Sequence, residues 1–80
     1  MKTKLNKTQE RILSELEVGE ANETITNPYS GVSCDLEPKA VALYDFIKGC
    51  EMLGTRQKDF DQARYAFAAL YPTEYMLLLD

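Results

Sequence analysis

Apolar residues at helical spacing predict a first helix near residues 6–18. One face of this segment carries Leu5, Ile12, Leu13 and Leu16. Asn6 is a suitable N-cap, and Gln9 follows three residues later, which is the spacing of a capping box. Gly19 lies where a helix often ends in the left-handed conformation. The pattern therefore predicts both ends of this helix as well as its buried face.

The second predicted helix, over residues 38–53, has the clearest pattern. Pro38 suits the first helical position, Glu37 precedes it as cap, and Gly54 ends the helix. The apolar stripe consists of Ala40, Leu43, Phe46, Ile47, Cys50 and Leu53. Gly49 lies at the edge of this stripe. Because glycine inside a helix costs about 1 kcal/mol relative to alanine, we expect another element to approach closely there.

A third helix is expected to begin at Asp59, because Asp59 and Gln62 also have capping-box spacing. Its inner face consists of Phe60, Ala63, Ala66, Phe67, Leu70 and Tyr71. Pro72 ends that face and opens a short last helix. We expect four side chains of the second and third helices to be nearly fully buried: Phe46, Ile47, Phe67 and Leu70.

Residues 20–36, EANETITNPYSGVSCDL, lack a helical period and are rich in turn-forming residues. We interpret them as a long ordered loop packed over one side of the helices. The alternative is a short strand pair around Ile25 and Val32 with NPYSG as its turn. The predicted fold class is all-α: one domain spanning residues 1–80, with three helices, this long loop after the first, and a short C-terminal helix. Residues 1–5 are expected to be flexible.

Three phrases of the sequence are distinctive: the turn NPYSG, the helix segment ALYDFIKG and the tail YPTEYMLLLD. Together they resemble a group of small proteins encoded by bacteriophages and prophages. The resemblance covers residues 27–80 and does not extend to the first 26. It implies a phage context. Since the group has no known function, it implies no activity and no site residue. Phage proteins of this size are often inhibitors of host or defence proteins, which makes such inhibition an expectation from context.

Charge is unevenly distributed along the chain, which has a net charge of −4. Basic residues crowd the first eleven positions, whereas residues 12–37 hold six carboxylates and no base. We interpret the acidic stretch as solvated surface, with a patch for a basic partner as the alternative. A nucleic-acid partner is not expected, because it would need a basic face. No apolar run approaches the ~20 residues that span a membrane, and no apolar region follows the basic N-terminus. We therefore expect a cytoplasmic protein, in the host cytoplasm if it is phage-encoded.

The side chains that usually carry catalysis are scarce. The chain has no histidine, which excludes Ser/His and Cys/His nucleophile arrangements. Cys34 and Cys50 form no CxxC motif and are expected to be reduced and packed. Asp59 and Asp61 point to different sides of their helix. We interpret Asp45 and Lys48 as a surface ion pair. The prediction is a non-enzymatic protein without cofactor or metal.

Five residues are predicted to contact a partner: Tyr29, Val41, Tyr44, Lys48 and Met52. The last four lie on the face of the second helix opposite its apolar stripe, where they form a second strip at helical spacing. Tyr29 places an aromatic ring on a turn, and exposed aromatic residues and methionine are enriched at protein contacts. In the alternative, the loop buries this strip and Tyr29 packs on Tyr44 to hold the loop in place.

The leading hypothesis is a small protein that acts by binding another protein, with self-association left open. One alternative is an oligomeric protein that binds a small ligand or nucleotide, although NPYSGVS has one glycine and no adjacent base for phosphate. The other is a DNA-binding regulator that uses Arg56, Lys58 and Arg64. Asp59 and Asp61 at the start of the presumed recognition helix would repel DNA.

Overall fold

The computed structural model describes residues 5–54 and 57–79. Its elements in chain order are α1 (Lys7–Glu15), β1 (Glu23–Thr26), β2 (Ser33–Leu36), α2 (Pro38–Leu53), α3 (Gln57–Leu70) and α4 (Pro72–Leu78). The helix α3 contacts α1, α2 and α4, whereas β2 contacts α2 and α4. No helix within the described residues is long and apolar enough to span a membrane.

The all-α prediction is wrong, because residues 20–36 contain an antiparallel strand pair rather than only a loop. Ile25 lies opposite Cys34, and Glu23 lies opposite Leu36. On the inner face of the hairpin Leu36 is buried and Ile25 and Cys34 pack against the core, whereas Glu23 at the start of β1 is exposed. The strand pair that was weighed as the alternative, with NPYSG as its turn, is therefore the observed arrangement. The fold is mixed, with four helices and a two-stranded sheet in the described chain.

Hydrogen bonds along the outer face of the hairpin add to this pairing. The Thr24 hydroxyl donates to the Asp35 carboxylate, and the hydroxyls of Thr26 and Ser33 bond to each other at 2.7 Å. Both pairs lie directly across the two strands. Cross-strand pairs of this kind stabilise a sheet by ~0.2–1 kcal/mol each. The polar residues that suggested a loop are therefore the solvent face of the hairpin.

The N-terminus of α1 follows the prediction, and its C-terminus does not. The Asn6 carboxamide accepts from the Gln9 backbone N–H at 2.8 Å, and the Gln9 side chain accepts from the Asn6 N–H at 3.0 Å. The helix ends at Glu15, with Leu16 already extended, so Gly19 does not cap it. Residues 17–19 are exposed. Another helical turn would order them without burying apolar surface.

Both ends of α2 and the start of α4 are confirmed. Pro38 begins α2, and Gly54 ends it with a φ of 66°. Pro72 begins α4. The predicted start of α3 at Asp59 is wrong, since the helix already includes Gln57. Asp59 instead lies in the first turn of α3, where the positive end of the helix dipole stabilises its carboxylate.

The core lies between α2 and α3 and is closed by the remaining elements. Its largest fully buried side chains are Phe67, Ile12, Leu36, Leu43 and Ile47. Ala40, Ala63 and Ala66 are also fully enclosed, and their small size lets α2 and α3 approach closely. Burial is confirmed for Ile47 and Phe67 but is wrong for Phe46 and Leu70, which are half-buried.

Gly49 does not mark a close helix contact. A methyl group built on its Cα would meet no atom within 4 Å. The expectation that another element passes close to Gly49 is therefore wrong. Nothing in the structure explains this glycine.

Candidate functional site

The turn NPYSG is held in a single conformation by the side chain of Asn27. The Asn27 Oδ1 accepts from the backbone N–H of Tyr29 at 2.8 Å. This hydrogen bond closes an Asx turn around Pro28. The Asn27 backbone closes the hairpin by donating to the Val32 carbonyl and accepting from Gly31, both at 2.8 Å. Gly31 has a φ of 78°, a conformation that favours glycine.

Asn27 also ties the turn to the C-terminal helix. Its Nδ2 donates to the backbone carbonyl of Leu77 at 2.9 Å. That carbonyl belongs to the last turn of α4, where the helix itself supplies no partner. One side chain therefore shapes the turn and fastens it to a helix fifty residues further along the chain.

Tyr29 projects from this turn into solvent. Its side chain is 93% exposed, the highest value among the large apolar residues of the described chain. It therefore does not pack on Tyr44 as a peg for the hairpin. A tyrosine on an ordered turn offers a large, amphipathic contact surface at low cost in conformational entropy.

A cleft of about 260 Å³ lies beside the turn, between α2, α3 and α4. Its apolar surface comes from Ile47, Phe60, Leu78 and Leu79, and its polar surface from Asn27, Tyr29, Lys48, Glu51 and Arg64. Ile47 and Leu78 are buried in the core. Phe60 and Leu79 are half-buried and give the cleft its accessible apolar floor, and Tyr29 stands on its polar rim. We refer to it below as the Tyr29 cleft.

Two cations flank the Tyr29 cleft in different ways. The Lys48 ammonium lies 5.7 Å from the Tyr44 ring centroid and 3.7 Å from the Glu51 carboxylate. The Arg64 guanidinium lies 5.6 Å from the Phe60 ring centroid and donates to the Tyr75 hydroxyl at 3.0 Å. No carboxylate of the described residues forms an ion pair with Arg64. Among the described residues, Arg64 is therefore held by Phe60 and Tyr75 without a carboxylate partner.

The predicted contact strip on α2 is divided by the fold. Val41 and Tyr44 are buried, so little of either side chain is accessible to a partner. Lys48 is half-buried at the Tyr29 cleft, and Met52, one turn further on, is 86% exposed. The structure therefore brings Tyr29 and Lys48 together and leaves Met52 on the adjoining surface. The first half of the strip belongs to the core.

A second, smaller cleft of about 200 Å³ lies at the opposite end of α2. It is lined by Glu17, Gly19, Ala21, Glu23, Pro38, Val41, Ala42 and Asp45. Asp45 faces this cleft, while Lys48 pairs with Glu51, so the predicted Asp45–Lys48 ion pair is wrong. The three carboxylates here make the cleft acidic. All three are exposed: Glu17 lies between α1 and β1, Glu23 begins β1, and Asp45 lies on α2.

Two further titratable groups of the described residues have raised pKa values. Burial, followed by the hydrogen bond to the Glu37 carboxylate, raises the pKa of Tyr71, which donates to that carboxylate. Burial and the charges of Glu74 and Asp35 raise the pKa of the Cys34 thiol. A thiol with a raised pKa is a poor nucleophile at neutral pH. Among the described residues no group of His, Cys, Asp and Glu is placed to hold a metal ion.

Sequence reasoning did not identify several residues of the site as contributors: Asn27, Ile47, Phe60, Arg64, Leu78 and Leu79. A signal for Asn27 was present, because Asn followed by Pro favours an Asx turn. Arg64 was considered only as a contact to DNA. Its position beside Lys48 depends on the packing of α3 against α2, for which the sequence carries no local signal.

Comparison with known proteins does not identify the chain. No protein-family model matches it, and no curated protein or solved structure is detectably similar to it. The resemblance to the phage-encoded group therefore stays a prediction. Functional argument rests on the geometry of the Tyr29 cleft.

Proposed function

We propose that this chain is a non-enzymatic binding protein whose NPYSG turn and Tyr29 cleft contact a protein partner. The observation that carries the proposal is the exposure of Tyr29, 93% exposed on a turn that Asn27 holds in place. Energetically dominant contacts at protein interfaces are enriched in tyrosine and arginine. A fixed turn also reduces the entropy lost when the ring is immobilised in a complex.

The neighbouring surface supports a protein rather than a small ligand. Met52 and Leu53, at the C-terminal end of α2, are 86% and 75% exposed. The Tyr29 cleft, at about 260 Å³, is smaller than most small-molecule sites, which occupy ~300–1,000 Å³. An open surface with one exposed aromatic residue beside a small cleft suits a partner that covers both.

The Tyr29 cleft favours neither of the alternative functions. A nucleotide site would need free backbone N–H groups around a phosphate, and the N–H groups of residues 29–32 are all bonded within the turn. A DNA-binding surface would need phosphate contacts along α3, whose first turn contains Asp59 with Asp61 just beyond. Arg56, which the DNA hypothesis also used, lies outside the described residues. A phage origin and inhibition of a host or defence protein remain part of the proposal.

Affinity capture from a bacterial lysate, followed by titration of the purified partner, tests this proposal. The variants are Tyr29→Ala and the matched control Tyr65→Ala, which removes a tyrosine that is 60% exposed on α3. We expect wild type and Tyr65→Ala to bind equally. Tyr29→Ala should weaken binding by ~2 kcal/mol or more, about 30-fold.

The melting curve of Tyr29→Ala is the necessary control. Since Tyr29 is almost fully exposed, the variant should unfold within about ±0.5 kcal/mol of wild type. Equal binding by Tyr29→Ala and wild type, or no stoichiometric partner for either, would contradict the proposed function.

A further inference from the structure

We infer that the Tyr29 cleft recognises a peptide segment of the partner in which a carboxylate side chain adjoins a large apolar side chain. The inference rests on the proposed function and specifies the chemistry of its partner. It follows from the juxtaposition of an apolar floor, formed by the half-buried Phe60 and Leu79, with two cations at the rim, Lys48 and Arg64. The apolar group occupies the floor, and the carboxylate lies between the cations.

Arg64 is arranged to accept such a carboxylate. The Phe60 ring supports its guanidinium, and one of its nitrogens is bonded to the Tyr75 hydroxyl. A guanidinium has five N–H donors, so several remain after this bond. Arginine binds carboxylates through two parallel hydrogen bonds, and a guanidinium already held in place loses little entropy on binding. The Tyr75 bond fixes the group without neutralising its charge.

Lys48 can change partner at little cost. Its ion pair with Glu51 spans 3.7 Å between side chains that are 30% and 53% exposed. Exposed pairs of this kind contribute ~0–1 kcal/mol. An incoming carboxylate that also contacts Arg64 therefore competes readily with Glu51. Among the described residues that line the cleft, two are cations and one is a carboxylate, although the whole chain has a net charge of −4.

The size and lining of the cleft favour a peptide side chain over other carriers of negative charge. About 260 Å³ accommodates one large side chain together with its neighbour, and the floor is apolar. A bare phosphate would leave this floor exposed to water. An acidic peptide can present one apolar and one anionic group together.

Four-residue peptides provide the probe, each acetylated at its N-terminus and amidated at its C-terminus. The test peptide is Ala-Phe-Glu-Ala, and its matched controls replace the glutamate by glutamine, lysine or phosphoserine. Binding to the full chain is followed by amide and arginine side-chain chemical shifts in NMR titrations. We expect the glutamate peptide to bind about tenfold tighter than the glutamine peptide, as a charge-assisted hydrogen bond implies. The shifts should map to Lys48, Arg64 and Leu78.

Variants test the assignment of the two cations. Lys48→Gln and Arg64→Gln should each remove most of the preference for glutamate over glutamine. Lys39→Gln, which removes an exposed lysine at the other end of α2, should leave it unchanged. Arg64→Lys keeps the charge but not the planar fork, and it should retain only part of the preference. Well-dispersed spectra of each variant show that it is folded.

Several results would overturn the inference, and each differs from failure of the proposed function. Equal binding of the glutamate and glutamine peptides, or tighter binding of the phosphoserine or lysine peptide, excludes a carboxylate site. Concentration-dependent shifts at Lys48 and Arg64 without peptide would make a second copy of the chain the occupant. If the peptides fail while Tyr29→Ala still weakens partner capture, the binding function stands and this partner chemistry is wrong. If the glutamate peptide binds as expected while partner capture does not depend on Tyr29, the chemistry of the cleft stands and the proposed binding function is wrong.

Discussion

Replacing Asn27 tests whether one side chain holds the candidate site together. In Asn27→Ala the turn loses the acceptor for the Tyr29 N–H at 2.8 Å and the donor to the Leu77 carbonyl at 2.9 Å. The longer contact with the Ser30 N–H, at 3.4 Å, is lost as well. Asn27→Asp keeps the acceptor and removes only the donor. The pair therefore separates the shape of the turn from its attachment to α4.

The expected magnitude follows from the two short bonds. Each typically contributes ~0.5–1.5 kcal/mol, so Asn27→Ala should lose about 1–3 kcal/mol. Asn27→Asp should lose about 1 kcal/mol or more, because a carboxylate would also face the Leu77 carbonyl oxygen. In a domain of this size 1 kcal/mol shifts the melting temperature by ~4–8 °C. We therefore expect Asn27→Ala to melt roughly 4–24 °C below wild type.

Urea unfolding followed by circular dichroism measures these differences. Ser30→Ala is the matched control, because Ser30 lies in the same turn but bonds only within it, to the Val32 N–H at 3.2 Å through its hydroxyl. This exposed bond is replaced by water, so the control should stay within about ±0.5 kcal/mol of wild type. If Asn27→Ala is as stable as the control, Asn27 does not fasten the hairpin. Asn27→Ala should also weaken partner binding, since Tyr29 would lose its fixed position.

Three further predictions concern the scaffold. Phe67→Ala should cost roughly 3–5 kcal/mol in urea unfolding, because Phe67 is fully buried, and a variant with nearly native stability would contradict the core assignment. Gly49→Ala should stabilise the protein by ~0.5–1 kcal/mol, because a methyl group meets no atom within 4 Å; a loss of stability would show that the space is not free. Tyr71→Phe should lose ~0.5–1.5 kcal/mol at neutral pH with the hydrogen bond to Glu37. The pKa of Tyr71 is raised on folding, so this stabilisation is complete below about pH 10 and is lost as the pH rises further. Wild type should therefore lose stability more steeply than Tyr71→Phe above about pH 10, and parallel pH profiles would refute this coupling.

Local sequence signals were sufficient to predict several helix ends correctly. Pro38 and Gly54 mark the bounds of α2, and Pro72 marks the start of α4. The Asn6 capping box marks the start of α1. Each signal acts through the backbone angles or hydrogen bonds of residues within one turn, so no distant contact was needed. The apolar periods of α2 and α3 likewise place Ile47 and Phe67 in the core.

Tertiary packing decided the hairpin and the end of α1. Two four-residue strands are only marginally stable by themselves, so their pairing depends on the burial of Leu36 and on the Asn27 bond to Leu77. Neither contact is visible in the composition of residues 20–36, which is that of a loop. The helix α1 ends at Glu15, and residues 17–19 beyond Leu16 are exposed, although their sequence could continue a helix.

The candidate site was also decided mainly by the tertiary structure. An aromatic residue on a turn marked Tyr29 in the sequence, but its exposure depends on how the hairpin lies against α4. The spacing of α2 brings Lys48 over the Tyr44 ring, and packing buries Tyr44 but leaves Lys48 partly accessible. Arg64 and Leu78 reach the same cleft from α3 and α4, since helix packing brings together residues that are distant along the chain. A periodic pattern shows which residues share a face of one helix, and the packing of the other elements determines which of them remain accessible.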